Sequence, residues 1–398
     1  MAWTKYQLFL AALMIITGSI NTLATKWADD SVSKGRDNKI KKFNHPFLQA
    51  VAMFLGEFLC FLVYKLMFRY YMRRNDNNEE ELPDSIKGNR KFNPFIFMIP
   101  ALCDMTATSI MYIGLNMTSS SSFQMLRGAL IIFTGIFSII FRKRRLRLYH
   151  WIGMFLVTGG LVIVGKLVII DLALKQLLIL FLFFFRIGLS DMLSQKDNSE
   201  KNNSTIGNIL IMLAQLVVAT QMIVEEKYVS DSNVSSLHAV GWEGIFGFTI
   251  LSILLVPMYF IKIGGKMFET NPEGQIEDAI DGFYQIFNSW EVACGISGTI
   301  LSIAFFNFAG ISVTKQLSAT TRTVLDSVRT IIIWMFSLAI REESFSFYKL
   351  GGFFVLLIGM AIYNEVFNGL CRKRSESLVI DDAEGEEVEA AYSQDIIS

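Results

Sequence analysis

The chain carries the stretch LCDMTATSIMYIGLNMTSSSSFQMLRGALIIFTGIFSIIFRKRRLRLYHWIGMFLVTGGLVIV (Leu102–Val164) a second time as LSIAFFNFAGISVTKQLSATTRTVLDSVRTIIIWMFSLAIREESFSFYKLGGFFVLLIGMAIY (Leu301–Tyr363), at a constant offset of 199 residues. Each copy has a small or polar start, a long apolar run, a polar turn and a second apolar run rich in glycine. Twelve aligned positions are identical, including Leu126/Leu325, Phe137/Phe336, Ser138/Ser337, Arg142/Arg341, Tyr149/Tyr348, Gly153/Gly352 and Gly160/Gly359. An internal repeat in an apolar chain is typical of transporters built from two pseudosymmetric halves.

The composition is that of a membrane protein. Of the 398 residues, 52% are hydrophobic, 13% are aromatic and 18% are charged, and the formal net charge is zero. This apolar fraction exceeds that of an ordinary soluble domain, so we predict an integral, multi-pass protein of the lipid bilayer. The sequence has no basic block with interleaved aromatic residues, so we expect no nucleic-acid partner.

Ten segments are long and apolar enough to cross a membrane as helices, which need about 20 mostly apolar residues. They are 5–25, 46–68, 94–116, 119–141, 148–165, 205–226, 237–261, 290–312, 319–341 and 347–367. No segment alternates with a period of two, so we predict an all-α chain. The first segment is interpreted as an uncleaved span, with a cleaved signal peptide as the alternative, because Lys5 precedes its apolar core.

The predicted fold is ten transmembrane helices arranged as two inverted five-helix repeats. Five is an odd number, so the second half enters the membrane from the opposite side to the first. The first repeat occupies 1–165 and the second 188–371, and an atypical apolar insertion at 166–187 separates them. Lys and Arg concentrate on one side, which places both ends of the chain in the cytosol. The acidic tail 372–398 lacks an apolar face and is predicted to be disordered.

The insertion KLVIIDLALKQLLILFLFFFRI has two interpretations. Codons for Gly165-Lys166 can match a splice donor, and the Phe/Leu run near 181–185 is what a pyrimidine tract translates to. We therefore interpret it first as a retained in-frame intron and second as a genuine lipid-facing or interfacial insertion. A transcript that always contains these codons would exclude the intron. An eleventh span is disfavoured, because one more crossing would make the halves parallel.

Ionisable residues inside the predicted spans are the first candidates for a site that binds or gates a substrate. Each costs about 2.5–3.5 kcal/mol to insert, so by default it faces a cavity or a partner. They are Glu57, Asp104, Arg127, Glu243, Arg322, Asp326 and Arg329. Amides that could add hydrogen bonds are Gln124, Gln215, Gln221 and Asn307, each with helix packing as its alternative role.

Two aligned positions of the repeat carry opposite charges. Arg127 and Asp326 each lie about 12 Å into their helices, from opposite faces, at a rise of 1.5 Å per residue. Inversion therefore predicts an ion pair near the membrane centre, with a structural role and a substrate-contacting or gating role equally open. Arg322, Asp326 and Arg329 share one helical face, which favours 319–341 as the helix that lines a water-filled path. The excess of arginine over aspartate near the midplane favours an anionic or zwitterionic cargo.

No motif indicates catalysis or a metal centre. The cysteines and histidines lack metal-ligand spacing, and no histidine is paired with an acid at a spacing that suggests a membrane enzyme. His45, His150 and His238 are interpreted as loop and interface residues. We therefore expect neither an enzyme nor a bound cofactor or metal.

Several strings resemble the drug/metabolite transporter superfamily, and within it solute carrier family 35, subfamily F. They are HPFLQAVAMFLGEF from His45, LCDMT from Leu102, NMTSSSSFQMLRGALIIFTGIFS from Asn116, RKRRLRLYHWIG from Arg142, EEKYV from Glu225 and FFNFAGISVTKQLSATTRTVLDSVRT from Phe305. LCDMT and FQMLRG are specific, whereas the glycine pattern is generic. The likeness covers about 2–371 except for 166–187. It implies a nucleotide-sugar-transporter-like carrier of ten helices in an endomembrane, with the lysosomal membrane as the first expected compartment and the mitochondrion as the second.

Two functions are compatible with these features. The first is a secondary transporter that moves a small polar or charged metabolite by alternating access, with the solute bound near the midplane between the halves. The alternative is a membrane interaction protein that supports a mitochondrial carrier or a cell-survival complex, and the acidic tail could serve it. Deleting 376–398 separates the two, because a carrier still moves solute without its tail. Expected partners are a small-molecule solute and the lipid bilayer, with a mitochondrial carrier protein and a second copy of the chain as further candidates.

Overall fold

The computed structural model describes residues 3–74, 82–83, 85–117, 126–144, 146–164, 199–262, 274–340, 345 and 347–364. The insertion 166–187, the tail 372–398 and the candidate Gln124 lie outside these residues. The helices of the described chain are α1 Lys5–Asp30, α2 Pro46–Arg74, α3 Met98–Met117, α4 Ala129–Arg142, α5 Leu148–Val164, α6 Ser199–Asp231, α7 Ser236–Phe260, α8 Ala279–Asn288, α9 Trp290–Gln316, α10 Ala319–Ala339 and α11 Phe347–Tyr363.

The long helices confirm an all-helical integral membrane architecture. Each of the ten predicted segments overlaps one long described helix. Within the described residues, six helices are long and apolar enough to cross a bilayer: α1, α2, α3 with the 3₁₀ turn before it, α6, α7 and α9. α4, α5 and α11 are shorter apolar helices. α10 differs because three charged residues lie in its first half.

Two elements were not predicted, and both lie outside the spans. Strands β1 (Val32–Lys34) and β2 (Ile40–Lys42) form a short antiparallel hairpin in the loop between α1 and α2. Asn38 takes a left-handed backbone conformation with φ of 62° at the turn, which Asn tolerates better than most residues. The helix α8 begins where the Asp278 side chain accepts a hydrogen bond from the backbone N–H of Asp281.

Glycines allow the helices that carry the charged residues to approach closely. A side chain at Gly244 of α7 would collide with the backbone of Glu57 and Phe58 of α2, and one at Gly56 would collide with the Ile300 carbonyl of α9. The backbones of α2, α7 and α9 are therefore in direct contact, as expected for small residues at membrane helix interfaces. This contact brings side chains from three different helices to one place.

Helices α5 and α11 pack against each other through matching glycines. Both begin and end at aligned positions of the repeat, because each bound of α11 lies 199 residues after the same bound of α5. A Cβ at Gly153 would lie 2.9 Å from the carbonyl oxygen of Gly359, and a Cβ at Gly160 would lie 2.6 Å from that of Gly352. Exchanging the two copies of the repeat exchanges these two contacts.

Candidate functional site

A group of charges from five helices, four of them buried and Asp104 half-buried, meets inside the helix bundle. We call it the inner cluster: Glu57 of α2, Asp104 of α3, Glu225 of α6, Glu243 of α7 and Arg322 of α10. Arg322 donates from Nη1 to Oε2 of Glu225 at 2.5 Å, and both side chains are buried. Glu57, Asp104 and Glu243 all interact electrostatically with this pair. Helices distant in sequence therefore converge on one charged centre.

Amide side chains complete part of the inner cluster. Asn307 of α9 donates from Nδ2 to Oε1 of Glu57 at 2.5 Å. Gln221, one turn before Glu225 on α6, donates from Nε2 to its Oε1 at 3.0 Å. Both oxygens of Glu225 are thus bonded, one to an amide and one to a guanidinium. Gln215 differs, because its nearest polar contact is the Met111 sulfur at 3.5 Å, so it packs between α3 and α6.

The inner cluster holds more acid than it can pair. It contains four carboxyl groups and one guanidinium. Within the described residues, Oε1 of Glu243 has no hydrogen-bond partner, although only 7% of this residue is exposed. Burying a carboxylate without a partner costs several kcal/mol, so such a group binds a proton or is balanced by a cation. In the inner cluster acids outnumber arginines, whereas the count from the sequence had given an excess of arginine and favoured an anionic cargo.

A second group lies between α4 and α10, and we call it the α4/α10 triad: Arg127, Asp326 and Arg329. Oδ2 of Asp326 lies 3.6 Å from Nη2 of Arg127 and 3.2 Å from Nη2 of Arg329. The triad lines a cavity of about 30 Å³, which is room for one or two water molecules. The Arg329 guanidinium also lies 5.4 Å from the centroid of the Phe306 ring. The ion pair predicted from the repeat is therefore present.

The predicted polar face of α10 divides between these two groups. Arg322 contacts Glu225 of α6, and Asp326 contacts Arg127 just before α4. Arg329 lies beside Asp326 and over the Phe306 ring of α9. The guanidinium of Arg322 packs directly on Gly310 of α9, where a Cβ would lie 2.7 Å from Nε. One helix therefore contributes to two charged sites along its length.

A third set of ionic contacts joins Arg144 to Glu226 and Arg142 to Asp231, and we call it the end bridge. Arg144, just after α4, lies 2.5 Å from Oε1 of the buried Glu226, and the N–H of Ala319 donates to Oε2 at 3.3 Å. Arg142 pairs with Asp231 at 2.8 Å on the same side. These contacts connect α4, α6 and α10 beyond the inner cluster.

Two important residues, Glu225 and Glu226, were not among the predicted candidates. The predicted span ended at 226, which placed both at a membrane edge, but α6 continues to Asp231. Both are buried, at 1% and 0% exposure. The available signal was a pair of acids directly following an apolar run. Their partners, Arg322 of α10 for Glu225 and Arg144 after α4 for Glu226, come close only on folding.

A fourth charged group lies outside the spans, and we call it the loop cluster: Lys41, His45, Glu277, Asp281 and Gln285. His45 contacts Oε1 of Glu277 through Nδ1 at 2.7 Å and Oδ2 of Asp281 through Nε2 at 3.4 Å. Lys41 lies 2.8 Å from the same Asp281 oxygen, and Gln285 donates to it at 2.7 Å. The acidic loop near 277–281 is thus buried against the hairpin rather than solvated.

The loop cluster shifts the pKa values of its members. Burial lowers the pKa of His45, but hydrogen bonds and charges from Asp281 and Glu277 more than offset this and raise it to about 9. Burial raises the pKa of Asp281, but hydrogen bonds from His45, Lys41, the Arg36 N–H and Gln285 bring it below its ordinary value. The histidine is therefore a cation at neutral pH.

No group of three or more His, Cys, Asp or Glu residues among those described is arranged to hold a metal ion. The remaining histidines make aromatic contacts: His150 stacks on Tyr149 and His238 stacks on Tyr64, both with ring centroids 4.2 Å apart. These two histidines match their predicted interface role, whereas His45 is an ionic residue.

Comparison with known proteins gives consistent matches. Residues 5–236 match the model of the nucleotide-sugar transporter family. The chain is 51% identical over 377 residues to human solute carrier family 35 member F6, covering 94% of this chain and 93% of that protein. It is 27% identical to a UDP-galactose transporter of Schizosaccharomyces pombe over 41% of this chain and 44% of that protein. A crystal structure that is 11% identical matches with a TM-score of 0.55, covering 92% of this chain and 99% of that chain.

Proposed function

Because this chain belongs to the nucleotide-sugar transporter family, we propose that it is a secondary transporter that moves a small polar or charged metabolite across an endomembrane by alternating access. The observation that carries this proposal is the inner cluster, in which five helices bring buried and half-buried charges together inside an integral membrane protein. Buried charges in membrane helices mark the paths of solutes and ions. An unpartnered buried carboxyl group destabilises a core whose role is only structural, so its presence here favours a functional role.

The proposed architecture is ten membrane spans in two inverted repeats, 1–165 and 188–371. Two observations support it. The helices α5 and α11 have matching bounds and exchange their glycine contacts when the copies are exchanged. Arg127 and Asp326, which are aligned in the repeat, form a contact across α4 and α10. Inverted repeats of this kind let one half rock against the other around a central site.

The three charged groups have distinct proposed roles. The inner cluster binds the solute, with Arg322 as a cationic contact and the acids as acceptors of protons or of a cationic group. The α4/α10 triad changes partners as the halves move, because Asp326 is shared between two arginines at 3.6 and 3.2 Å. The end bridge holds α4, α6 and α10 together in the described state.

The cargo is proposed only as a class. The name of the yeast relative, UDP-galactose transporter, describes that protein, and its match covers less than half of this chain. The charge balance of the inner cluster favours a solute that carries a positive group or is accompanied by protons. We propose an endomembrane as the location, with the lysosomal membrane first and the mitochondrion second, which tagged full-length protein imaged against organelle markers would test.

The proposal is tested by transport in proteoliposomes. A screen of metabolite pools by thermal shift first identifies a solute, since binding to the folded state raises apparent stability. Arg127→Ala and Asp326→Ala are each expected to abolish uptake of that solute, because each removes a partner of the shared ion pair. Their unfolding temperatures should stay within a few degrees of that of the unmodified protein, because the side chains of Arg127 and Asp326 are 32% and 15% exposed rather than fully buried.

Arg73→Ala is the matched control, since Arg73 is an exposed arginine at the end of α2. It should leave uptake unchanged. Full uptake by both triad variants would contradict the gating role of Arg127 and Asp326.

A further inference from the structure

A pocket of about 210 Å³ lies between the end of α2 and the start of α7. Its walls include Tyr64 and Lys65 of α2, Arg90 and Phe92 of the following segment, and His238 and Trp242 of α7. None of these residues belongs to the inner cluster, the triad, the end bridge or the loop cluster. The proposed transport cycle does not use this pocket.

Among the described residues, the charged groups of the pocket walls are cations. Lys65 and Arg90 carry positive charge, and none of the described residues that line the pocket is acidic. The Arg90 guanidinium lies over the Phe68 ring, 4.4 Å from its centroid, and the Lys65 ammonium lies 5.1 Å from the Phe61 centroid. Aromatic faces hold both cations at the rim. Such a pocket is complementary to an anion.

His238 adds a donor in a defined orientation. Trp242 donates from Nε1 to Nε2 of His238 at 3.0 Å, so the proton of the neutral imidazole lies on Nδ1. Tyr64 stacks on this ring with an interplanar angle of 8°, and Phe92 meets it edge-on at 5.1 Å. His238 is 6% exposed, and within the described residues its Nδ1 has no hydrogen-bond partner. A buried donor without a partner is costly, and an anionic acceptor would satisfy it.

The surroundings of Lys65 place the pocket beside lipid. Leu62, Val63 and Leu66 are 44%, 44% and 65% exposed on the surface of α2. In a membrane helix, exposed apolar side chains of this kind face the acyl chains. Lys65 lies nine positions before the end of α2 at Arg74, near the level where lipid headgroups begin. Tyr and Trp are enriched at the same level.

We propose that this pocket binds the phosphate headgroup of an anionic membrane lipid. Lys65 and Arg90 contact the phosphate oxygens, His238 donates from Nδ1, and the aromatic walls pack against the glycerol or inositol part of the headgroup. Basic pockets between membrane helices bind phosphorylated headgroups in this way. The acyl chains lie along the exposed face of α2.

The test uses purified full-length protein in phosphatidylcholine nanodiscs with and without about 5% phosphatidylinositol phosphate. The phosphorylated lipid is expected to raise the unfolding temperature and to stay bound in native mass spectrometry. Lys65→Gln with Arg90→Gln should weaken lipid binding at least tenfold, because each cation near a headgroup contributes about a factor of five. His238→Phe keeps the ring stack, removes the donor and should weaken binding by a smaller factor.

Arg69→Gln with Arg73→Gln is the control, since it removes the same charge from the same end of α2 at exposed positions outside the pocket. It should change binding by less than twofold. Equal losses of lipid binding in the two double variants would overturn the proposal in favour of nonspecific attraction.

A last comparison uses inorganic phosphate and soluble inositol phosphate in place of the lipid. If either binds as tightly as the lipid, the assignment to a membrane lipid is overturned. The variants are compared in phosphatidylcholine alone, so a folding defect is seen separately from lost binding.

Discussion

The inner cluster and the loop cluster are both largely buried and charged, yet they differ in the balance between cations and carboxyl groups. In the loop cluster, two cations, Lys41 and His45, face two carboxylates, Glu277 and Asp281, and all four carboxylate oxygens have partners. In the inner cluster, one guanidinium faces four carboxyl groups, and Glu243 retains an oxygen without a partner. The loop cluster is charge-matched and the inner cluster is not.

This difference separates a structural site from a functional one. A charge-matched network in which every carboxylate oxygen is bonded rigidifies the elements that it joins, here the hairpin, α8 and the start of α2. A partly bonded network in a membrane is costly by itself and gains free energy when a ligand or a proton arrives. We therefore expect changes in the inner cluster to alter transport and changes in the loop cluster to alter stability.

The largest effect is expected from Arg322→Gln. It removes the only cation of the inner cluster and leaves Glu225 buried without its ion-pair partner. Breaking a buried pair in this way costs about 3–5 kcal/mol. Uptake in proteoliposomes should fall at least 100-fold, and the unfolding temperature should fall with it.

A second variant separates folding from transport. Glu225→Gln combined with Arg322→Gln removes both charges, so stability should recover towards that of the unmodified protein while uptake stays lost. Recovery of uptake in the double variant would show that Arg322 has only a structural role.

The sequence was sufficient for the long apolar helices and for one ion pair, but not for the short helix α8. Helix positions follow from runs of about 20 apolar residues, which need no knowledge of tertiary contacts. The contact between Arg127 and Asp326 followed from alignment of the repeat, because symmetry converts a sequence offset into a spatial relation.

The other contacts depend on folding over long separations in sequence. His45 and Glu277 are separated by 232 residues, and Arg322 and Glu225 by 97. No local periodicity links such pairs, so the ionic partners of the loop residue His45 were not predicted and Glu225 was omitted. The charge of the cargo stays a prediction, since counting arginines along the sequence cannot tell which acids lie beside them.

The next effect in size is the pH dependence of stability from the loop cluster. The pKa of His45 is raised from 6.5 to about 9 on folding, so its stabilisation is fully present below pH 6.5 and is lost as the pH rises through 9. The free energy of unfolding should therefore fall by about 3 kcal/mol over this range. The pKa of Asp281 is lowered on folding, so its contribution is lost only in acid, as the pH falls from 3.8 through that lowered value.

Thermal unfolding of detergent-solubilised protein between pH 5 and 10 measures this dependence. His45→Ala should be less stable at neutral pH and should lose most of the decline between pH 6.5 and 9. His150→Ala is the control, because His150 makes aromatic contacts near α5 and α11 and should leave the decline intact. A decline that persists in His45→Ala would assign it to another group.

The smallest effect on stability, and the sharpest distinction between the two clusters, is expected from Glu243→Gln. The amide has nearly the same shape as the carboxyl group but carries no charge, so it removes an unpaired acid from the inner cluster. Stability should change by less than about 1 kcal/mol or increase, since no bonded partner is lost. Uptake should nevertheless lose part of its response to an imposed pH gradient, because one proton-binding group is gone.

Glu291→Gln makes the same substitution in the first turn of α9, outside the cluster, and should leave that response unchanged. If Glu243→Gln instead destabilises the protein by several kcal/mol and leaves the pH response intact, Glu243 is a structural residue, and the inner cluster is closer in kind to the loop cluster than its charge count indicates.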